Sequence, residues 1–319
     1  MSIVVFAESS EGKFKKTALE VVSYGKKLAE QMNTNMVVIT AFVDDVTALS
    51  QYGAEKVLVG NSESLKTSDG KVYASLIAEA AKVENAQVVV IDSGANGAYV
   101  APMVAVKLQA GFVSNVVALP ESVEPFVVKR KAFSNKAFNF TELKSAIKVI
   151  GLAKNSFGLF EAPATAELVV YNPSLKNGSI TRESLDMVKG KVTIADADIV
   201  VSAGRGLKGP ENWGMIEDLA EVLGAATACS RPVSDLDWRP HSEHVGQTGK
   251  QVAANLYIAI GISGAIQHLA GVNSSKVKVV INNDPEAPFF KAADYGMVAD
   301  AFEIVPQLVE KLKVFKAAN

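Results

Sequence analysis

The first half of the chain alternates short apolar runs with amphipathic stretches. Four runs rich in β-branched residues are apolar on both faces, at residues 3–7, 36–41, 56–59 and 88–92. Such runs are typical of strands in a parallel sheet that is covered on both sides. Between them, residues 17–32 and 72–83 carry apolar side chains at helical spacing. The alternation predicts a three-layer α/β domain with right-handed crossovers.

Beyond residue 111 the pattern changes to strand-like runs that follow one another directly. We expect them to complete the first sheet, partly in antiparallel pairing, at residues 112–119, 126–131, 146–152 and 168–171. Residues 172–193 are richer in polar residues, glycine and lysine, and we place the domain boundary near residues 187–195. The prediction is an N-terminal α/β domain over residues 1–190 and a second domain over residues 191–319.

The α/β rhythm begins again after this boundary. Strands are predicted at residues 199–203, 227–230, 256–262, 277–282 and 296–299. Helical patterns cover residues 212–223 and a closing segment from about residue 305. Each domain is therefore predicted to be a mainly parallel sheet covered by helices, the second of them doubly wound and Rossmann-like.

Charge and composition exclude several classes of protein. The 319 residues include 32 basic and 34 acidic side chains, a formal charge of -2, whereas nucleic acids and anionic membranes attract clustered positive charge. No run approaches the 18 apolar residues of a spanning helix, so we expect no membrane insertion. The single cysteine, Cys229, excludes internal disulfides and multi-cysteine metal cages. Residues 1–7 lack the features of a secretory signal, and we expect a reducing, cytoplasmic location.

The candidate chemistry lies at the strand ends of the second half, because ligands of open parallel sheets bind beyond the carboxyl ends of the strands. Glycine and polar residues occupy these ends at residues 204–209, 230–232, 261–265 and 282–285, and a further glycine-rich loop covers residues 245–249. Glycine lets backbone N–H groups approach a phosphate closely, and a following helix N-terminus favours its negative charge. The pattern predicts a nucleotide with a pyrophosphate.

Gly204, Gly206 and Gly209 fit the dinucleotide fingerprint G-x-G-x-x-G after a predicted strand. The acidic residue that binds the NAD ribose about 20 positions later is absent, and Arg231 stands in that region. An arginine there suits a 2′-phosphate, so an NADP-binding domain of a dehydrogenase or transhydrogenase stays open as an alternative. A non-redox sensor of ATP or AMP is a third reading.

Several segments together resemble the signature blocks of the bacterial-type electron transfer flavoprotein alpha subunit. They follow the family's order at residues 204–207, 230–231, 245–250, 257–268, 282–288, 293–296 and 298–300. The resemblance implies an FAD-binding electron carrier rather than an enzyme, paired in a heterodimer with a beta subunit that holds AMP. It also implies a flavoprotein dehydrogenase as electron donor, single-electron transfer through an anionic flavin semiquinone, and a quinone reductase as acceptor.

The resemblance also implies roles for individual residues. Arg231 would lie against the isoalloxazine, where its permanent charge favours the anionic semiquinone. His268 would donate a hydrogen bond near the flavin O2 carbonyl. Gln247 and Thr248 would contact the flavin N5 and O4 edge, supported by the backbone of Val245 and Gly246.

The remaining implied contacts are to the rest of the cofactor. The pyrophosphate and ribityl chain would be wrapped by Ser263, Gly264, Ala265, Ile266 and Gln267. Arg205 would offer a cation and Ser230 a hydroxyl to the phosphates. Asn282 and Asp300, with the adjoining Ala301, would hold the adenosine end.

Two other candidates carry little weight. His241 and His244 are three residues apart, but no carboxylate or cysteine motif completes a metal site. Cys229 at a strand end is better explained as a small buried hydrophobe than as a nucleophile. We therefore expect neither a metal site nor a catalytic residue.

Overall fold

The computed structural model describes residues 2–67, 69–176, 178, 180, 183–184, 193–195 and 197–318. The chain divides into two compact units, Met1–Leu185 and Asp186–Asn319. The predicted boundary at residues 187–195 lies outside the described residues except for 193–195. Each unit is a mainly parallel sheet covered by helices, which confirms the predicted α/β class.

The first unit contains one large sheet and four helices among its described residues. Its strands are β1 Ser2–Phe6, β2 Ser9–Ser10, β3 Lys13–Phe14, β4 Asn35–Ala41, β5 Lys56–Gly60, β6 Ala86–Asp92, β7 Gly111–Val116, β8 Ser122–Val123, β9 Phe126–Ala132, β10 Ala137–Glu142, β11 Lys148–Leu152 and β12 Glu167–Val170. Its helices are α1 Lys16–Gln31, α2 Thr47–Ser50, α3 Gly70–Val83 and α4 Ala95–Leu108.

The large sheet has the strand order β10-β9-β7-β11-β6-β1-β4-β5-β12, with β8 paired to β9. The seven neighbouring strands β7-β11-β6-β1-β4-β5-β12 all pair in parallel. Within this sheet, antiparallel pairing is confined to β7, β8, β9 and β10. The expected partly antiparallel completion of the sheet is confirmed. The run near residue 168 lies at the far edge, beside β5.

Burial explains the apolar runs of the first unit. All five residues of β1 are buried, and helices on both faces of the sheet pack on separate apolar clusters. Helix α4 has no counterpart in the sequence prediction. Its residues are small and apolar around most of the circumference, and Pro102 lies inside it, so no amphipathic stripe marks it.

The second unit contains five strands and four helices among its described residues. The strands are β13 Ile199–Ala203, β14 Ala226–Cys229, β15 Leu256–Ile260, β16 Val277–Asn282 and β17 Tyr295–Val298. The helices are α5 Gly214–Leu223, α6 Arg231–Asp235, α7 Ile266–Val272 and α8 Ala301–Ala318. Helix α8 begins before the predicted residue 305, because Asp300 accepts a hydrogen bond from the backbone N–H of Phe302 at 2.9 Å and caps it.

All strands of the second sheet are parallel, in the order β14-β13-β15-β16-β17. In chain order this is 2-1-3-4-5, one of the two common doubly wound arrangements. The chain passes from β13 to β14 on one side and then crosses over to β15 on the other side of β13, and this switch opens a crevice at the carboxyl ends of β13 and β15. Every helix within the described residues is too short or too polar to span a bilayer.

Candidate functional site

The crevice floor is made of two glycine segments in direct backbone contact. The backbone N–H of Gly206 donates to the carbonyl of Gly261 at 3.1 Å. A Cβ on Gly204 would lie 2.3 Å from the carbonyl oxygen of Gly261, and a Cβ on Gly206 would lie 2.6 Å from its Cα. Gly261 also has a φ of +59°. The two loops can approach each other only because these positions lack side chains.

A cavity of about 530 Å³ opens above this floor. Most of the predicted site residues line it: Arg205, Ser230, Arg231, Val245, Gly246, Gln247, Thr248, Ser263, Ala265, Gln267, His268 and Asn282. They come from the ends of four neighbouring strands and from the loop at residues 245–249. The structure therefore brings separate segments of the sequence to one site.

Four of the predicted residues do not line this cavity. Gly264 has a φ of +84° and packs on Phe289, where a Cβ would lie 2.6 Å from the backbone nitrogen. Ile266 is exposed at the start of α7. Asp300 and Ala301 lie beyond β17, where they form the start of α8. A cofactor role stays a prediction for these four residues, as it does for the twelve that line the cavity.

The glycine-rich loop is fastened to the strands and to α7. The backbone N–H of Val245 donates to the carbonyl of Cys229 at 3.0 Å, and that of Gln247 donates to the carbonyl of Gln267 at 2.7 Å. Gly271 lies directly against Gly246, since a Cβ on Gly271 would be 2.5 Å from its Cα. This packing leaves the side chains of Gln247 and Thr248 exposed at the cavity.

Arg231 lies at the cavity wall as the first residue of α6. Its side chain is 63% exposed, and its Nε lies 3.3 Å from Oδ2 of Asp235, one helical turn further on. An exposed ion pair of this kind contributes little stability. The guanidinium is thus an exposed positive charge at the wall of the cavity.

His268 is buried beneath the cavity. Its Nε2 lies 2.9 Å from the hydroxyl of Tyr257, a fully buried residue of β15. Nδ1 of His268 is buried and has no hydrogen-bond partner among the described residues. Burial, followed by the neighbouring His244, lowers the pKa of His268 to about 4. The ring is therefore neutral at pH 7.

Asn282 connects two of the strand ends. Its Nδ2 donates to the carbonyl of Ile262 at 3.1 Å, and its Oδ1 accepts from the backbone N–H of Asp284 at 3.0 Å. Both ends of the amide are therefore used within the protein. Asn282 shapes the cavity wall between β15 and β16.

Six further residues line the cavity: Gly206, Pro232, His244, Gly261, Ile262 and Asp284. All except His244 lie in the strand-end segments that the sequence analysis singled out, so His244 is the lining residue that it missed. His244 stands out because it is buried and directly precedes the glycine-rich loop. The sequence considered it only as half of a metal pair, and the described residues contain no cluster of three or more ligating side chains. Its position directly before the glycine-rich loop was the sequence feature that could have indicated a place in the cavity.

Cys229 is fully buried at the end of β14. Burial raises the pKa of its thiol to about 12. Such a thiol remains protonated at neutral pH and is a poor nucleophile.

The cavity is lined by groups that suit a phosphate-bearing cofactor. These are the glycine backbone of the floor, the cations Arg205 and Arg231, the hydroxyl of Ser263, and the buried Nδ1 of His268, which has no partner among the described residues.

Comparisons with known proteins agree with this location. The family model "Electron transfer flavoprotein FAD-binding domain" matches residues 193–273, and "Electron transfer flavoprotein domain" matches residues 3–175. The chain is 34% identical to the electron transfer flavoprotein subunit alpha of Bacillus subtilis, over 98% of this chain and 97% of the relative. The corresponding subunit of Pseudomonas aeruginosa is 36% identical over 97% and 99%. A probable mitochondrial subunit alpha of Caenorhabditis elegans is 34% identical over 98% and 93%.

Proposed function

Since the chain belongs to the electron transfer flavoprotein family as an alpha subunit with an FAD-binding domain, we propose that it carries single electrons on FAD bound in the cavity of its second unit. The flavin would supply the redox chemistry. The protein binds the flavin, orients it and tunes its potential. The observation that supports this most is the cavity at the topological switch point, where glycine backbone and two arginines meet.

We propose that the positive side of this cavity favours the anionic semiquinone of the flavin. Arg231 lines the cavity together with the loop at residues 245–249, and its exposed guanidinium pairs with Asp235. A guanidinium stays charged at every physiological pH. An extra negative charge on the bound group would therefore be stabilised with no change in the protonation of Arg231.

Other contacts follow from where each side chain lies in the cavity. Arg205 and the backbone of Gly206 lie on the glycine floor, which suits the pyrophosphate. Ser263 beyond the end of β15 and Gln267 of α7 also line the cavity and suit the pyrophosphate and the ribityl chain. Gln247 and Thr248, held out by their loop, suit the polar edge of the flavin ring.

The proposed partner is an electron transfer flavoprotein beta subunit, in a heterodimer in which the beta subunit holds AMP. A flavoprotein dehydrogenase would donate the electrons, and a quinone reductase would accept them. Family membership supports the beta subunit directly. The donor and the acceptor are those that the resemblance to the family implies.

Stepwise reduction of the purified heterodimer tests this function. We expect a yellow protein with flavin absorbance that turns red at half reduction, because the anionic semiquinone absorbs in that way. A colourless protein that binds NADPH would contradict the proposal and favour the NADP alternative. A colourless protein that binds ATP or AMP would favour a sensor.

We also propose that the boundary between the two domains falls within residues 187–195. Boundaries fall in exposed polar segments that few contacts cross, and residues 172–193 are richer in polar residues, glycine and lysine. Limited proteolysis of the native protein is expected to cut first in this segment and to leave two resistant fragments. First cuts inside either sheet would contradict the assignment.

A further inference from the structure

His244 is a buried side chain that belongs to the cavity yet has no role in the function proposed above. It is 9% exposed and lines the cavity together with Arg231 and His268. Its backbone pairs with Cys229 and Lys250, which fixes it at the entrance to the glycine-rich loop.

The loop leaves room for the ring of His244 by having glycine on two sides. A Cβ on Gly249 would lie 2.9 Å from both Cγ and Nδ1 of His244, and a Cβ on Gly246 would lie 3.5 Å from its Nε2. The imidazole is thus held between two glycines against the cavity. Among the described residues, neither ring nitrogen of His244 has a hydrogen-bond partner, whereas His268 bonds Tyr257 and His241 bonds Ser234.

The charges around His244 come from each element packed near it. Arg231 and Asp235 face it from α6, His241 from the preceding turn, and His268 from α7. Arg205 and Asp284 line other walls of the same cavity. Burial first, and then Arg231, lower the pKa of His244 below its ordinary value. The ring is neutral at pH 7 and has an unused acceptor.

We propose that His244 takes up a proton when the cofactor in this cavity is reduced, so that electron uptake is coupled to proton uptake at this side chain. The inference rests on the proposed function. One electron passes from a reduced flavoprotein donor to the bound flavin, and one proton passes from water to the free imidazole nitrogen. Re-oxidation returns the electron to the acceptor and the proton to water.

The direction of the coupling follows from electrostatics. A negative charge on the reduced cofactor favours the imidazolium and raises the pKa of His244 towards or above its ordinary value. Between the pKa of the oxidised protein and that of the reduced protein, reduction binds a proton. Within that window, the equilibrium constant for uptake of the first electron falls up to tenfold for each unit by which the pH rises. This corresponds to a fall in potential of about 59 mV per pH unit for one electron.

The test measures the first-electron potential of the FAD-loaded heterodimer from pH 5 to pH 8. We expect the wild-type potential to fall as pH rises through the window, and His244→Gln to remove that slope while FAD stays bound. The matched control is His241→Gln, which removes an exposed histidine three residues away that is bonded to Ser234 at 2.7 Å. This control should keep the wild-type slope.

Equal slopes in the wild type and His244→Gln would overturn the inference, as would a flat wild-type profile. If the variant fails to bind FAD, NMR titration of the His244 ring in the wild type decides the question. The inference requires a higher pKa for that ring in the reduced protein, and equal values in the two redox states would overturn it. A colourless wild type would instead contradict the proposed function itself.

Discussion

Gly206→Ala is expected to weaken FAD binding roughly 10–100-fold and to lower the free energy of unfolding by about 1–3 kcal/mol. The new Cβ would lie 2.6 Å from the Cα of Gly261 and 2.9 Å from its carbonyl oxygen. Both are backbone atoms on a neighbouring strand end, so no flexible side chain can move aside. The two loops must separate, and the floor of the cavity changes shape.

Gly214→Ala is the matched control for this change. Nothing lies within 4 Å of a Cβ at Gly214, which is the first residue of α5. Alanine in a helix is favoured over glycine by roughly 0.5–1 kcal/mol, so this variant should be as stable as the wild type or more so, with unchanged FAD affinity. Chemical denaturation and FAD titration of the two variants measure both quantities. Equal behaviour would mean that the glycine floor is not required.

Arg231→Ala is expected to lower the oxidised/semiquinone potential by roughly 65–130 mV. This range corresponds to a charge-assisted contact of about 1.5–3 kcal/mol at one electron. The guanidinium lines the cavity, and its exposed pair with Asp235 at 3.3 Å contributes little stability that could compete with a contact to the cofactor. Redox titration of the FAD-loaded protein measures the shift.

Arg239→Gln is the control for the loss of one positive charge nearby. Arg239 pairs with Glu217 at 3.0 Å and with Glu243 at 2.7 Å, and it does not line the cavity. Its removal should reduce stability and leave the potential close to the wild-type value. Equal shifts in both variants would show that Arg231 acts only through the overall field of the protein.

The sequence predicts most of the site because glycines and polar residues at strand ends do not fit an ordinary core. Gly204 and Gly206 were visible in this way, and the structure places them against Gly261. The pair between Arg231 and Asp235 could not be predicted, since it depends on the five-residue helix α6, which is too short for a periodic pattern. The hydrogen bond between Tyr257 and His268 could not be predicted either, because a tyrosine inside a buried strand looks like any other core aromatic residue.

The fold was predicted best where the sequence pattern was unambiguous, as in continuous apolar runs or a clear helical stripe of apolar residues. The parallel strands of both sheets were found, whereas α4 was missed because its apolar residues surround the helix. Strand β10 was missed because it lies at a sheet edge with most of its residues exposed, including Phe138 and Phe140. Such elements are specified by their neighbours in the fold, which a local pattern does not contain.

The burial of Cys229 has a practical consequence. The chain has one thiol, which lies sealed at the end of β14 with its pKa raised to about 12. A maleimide can therefore label only molecules whose second unit has opened. A ligand that binds only the closed form slows this labelling once the ligand concentration exceeds the Kd. The natural sequence thus carries its own chemical reporter of cofactor occupancy.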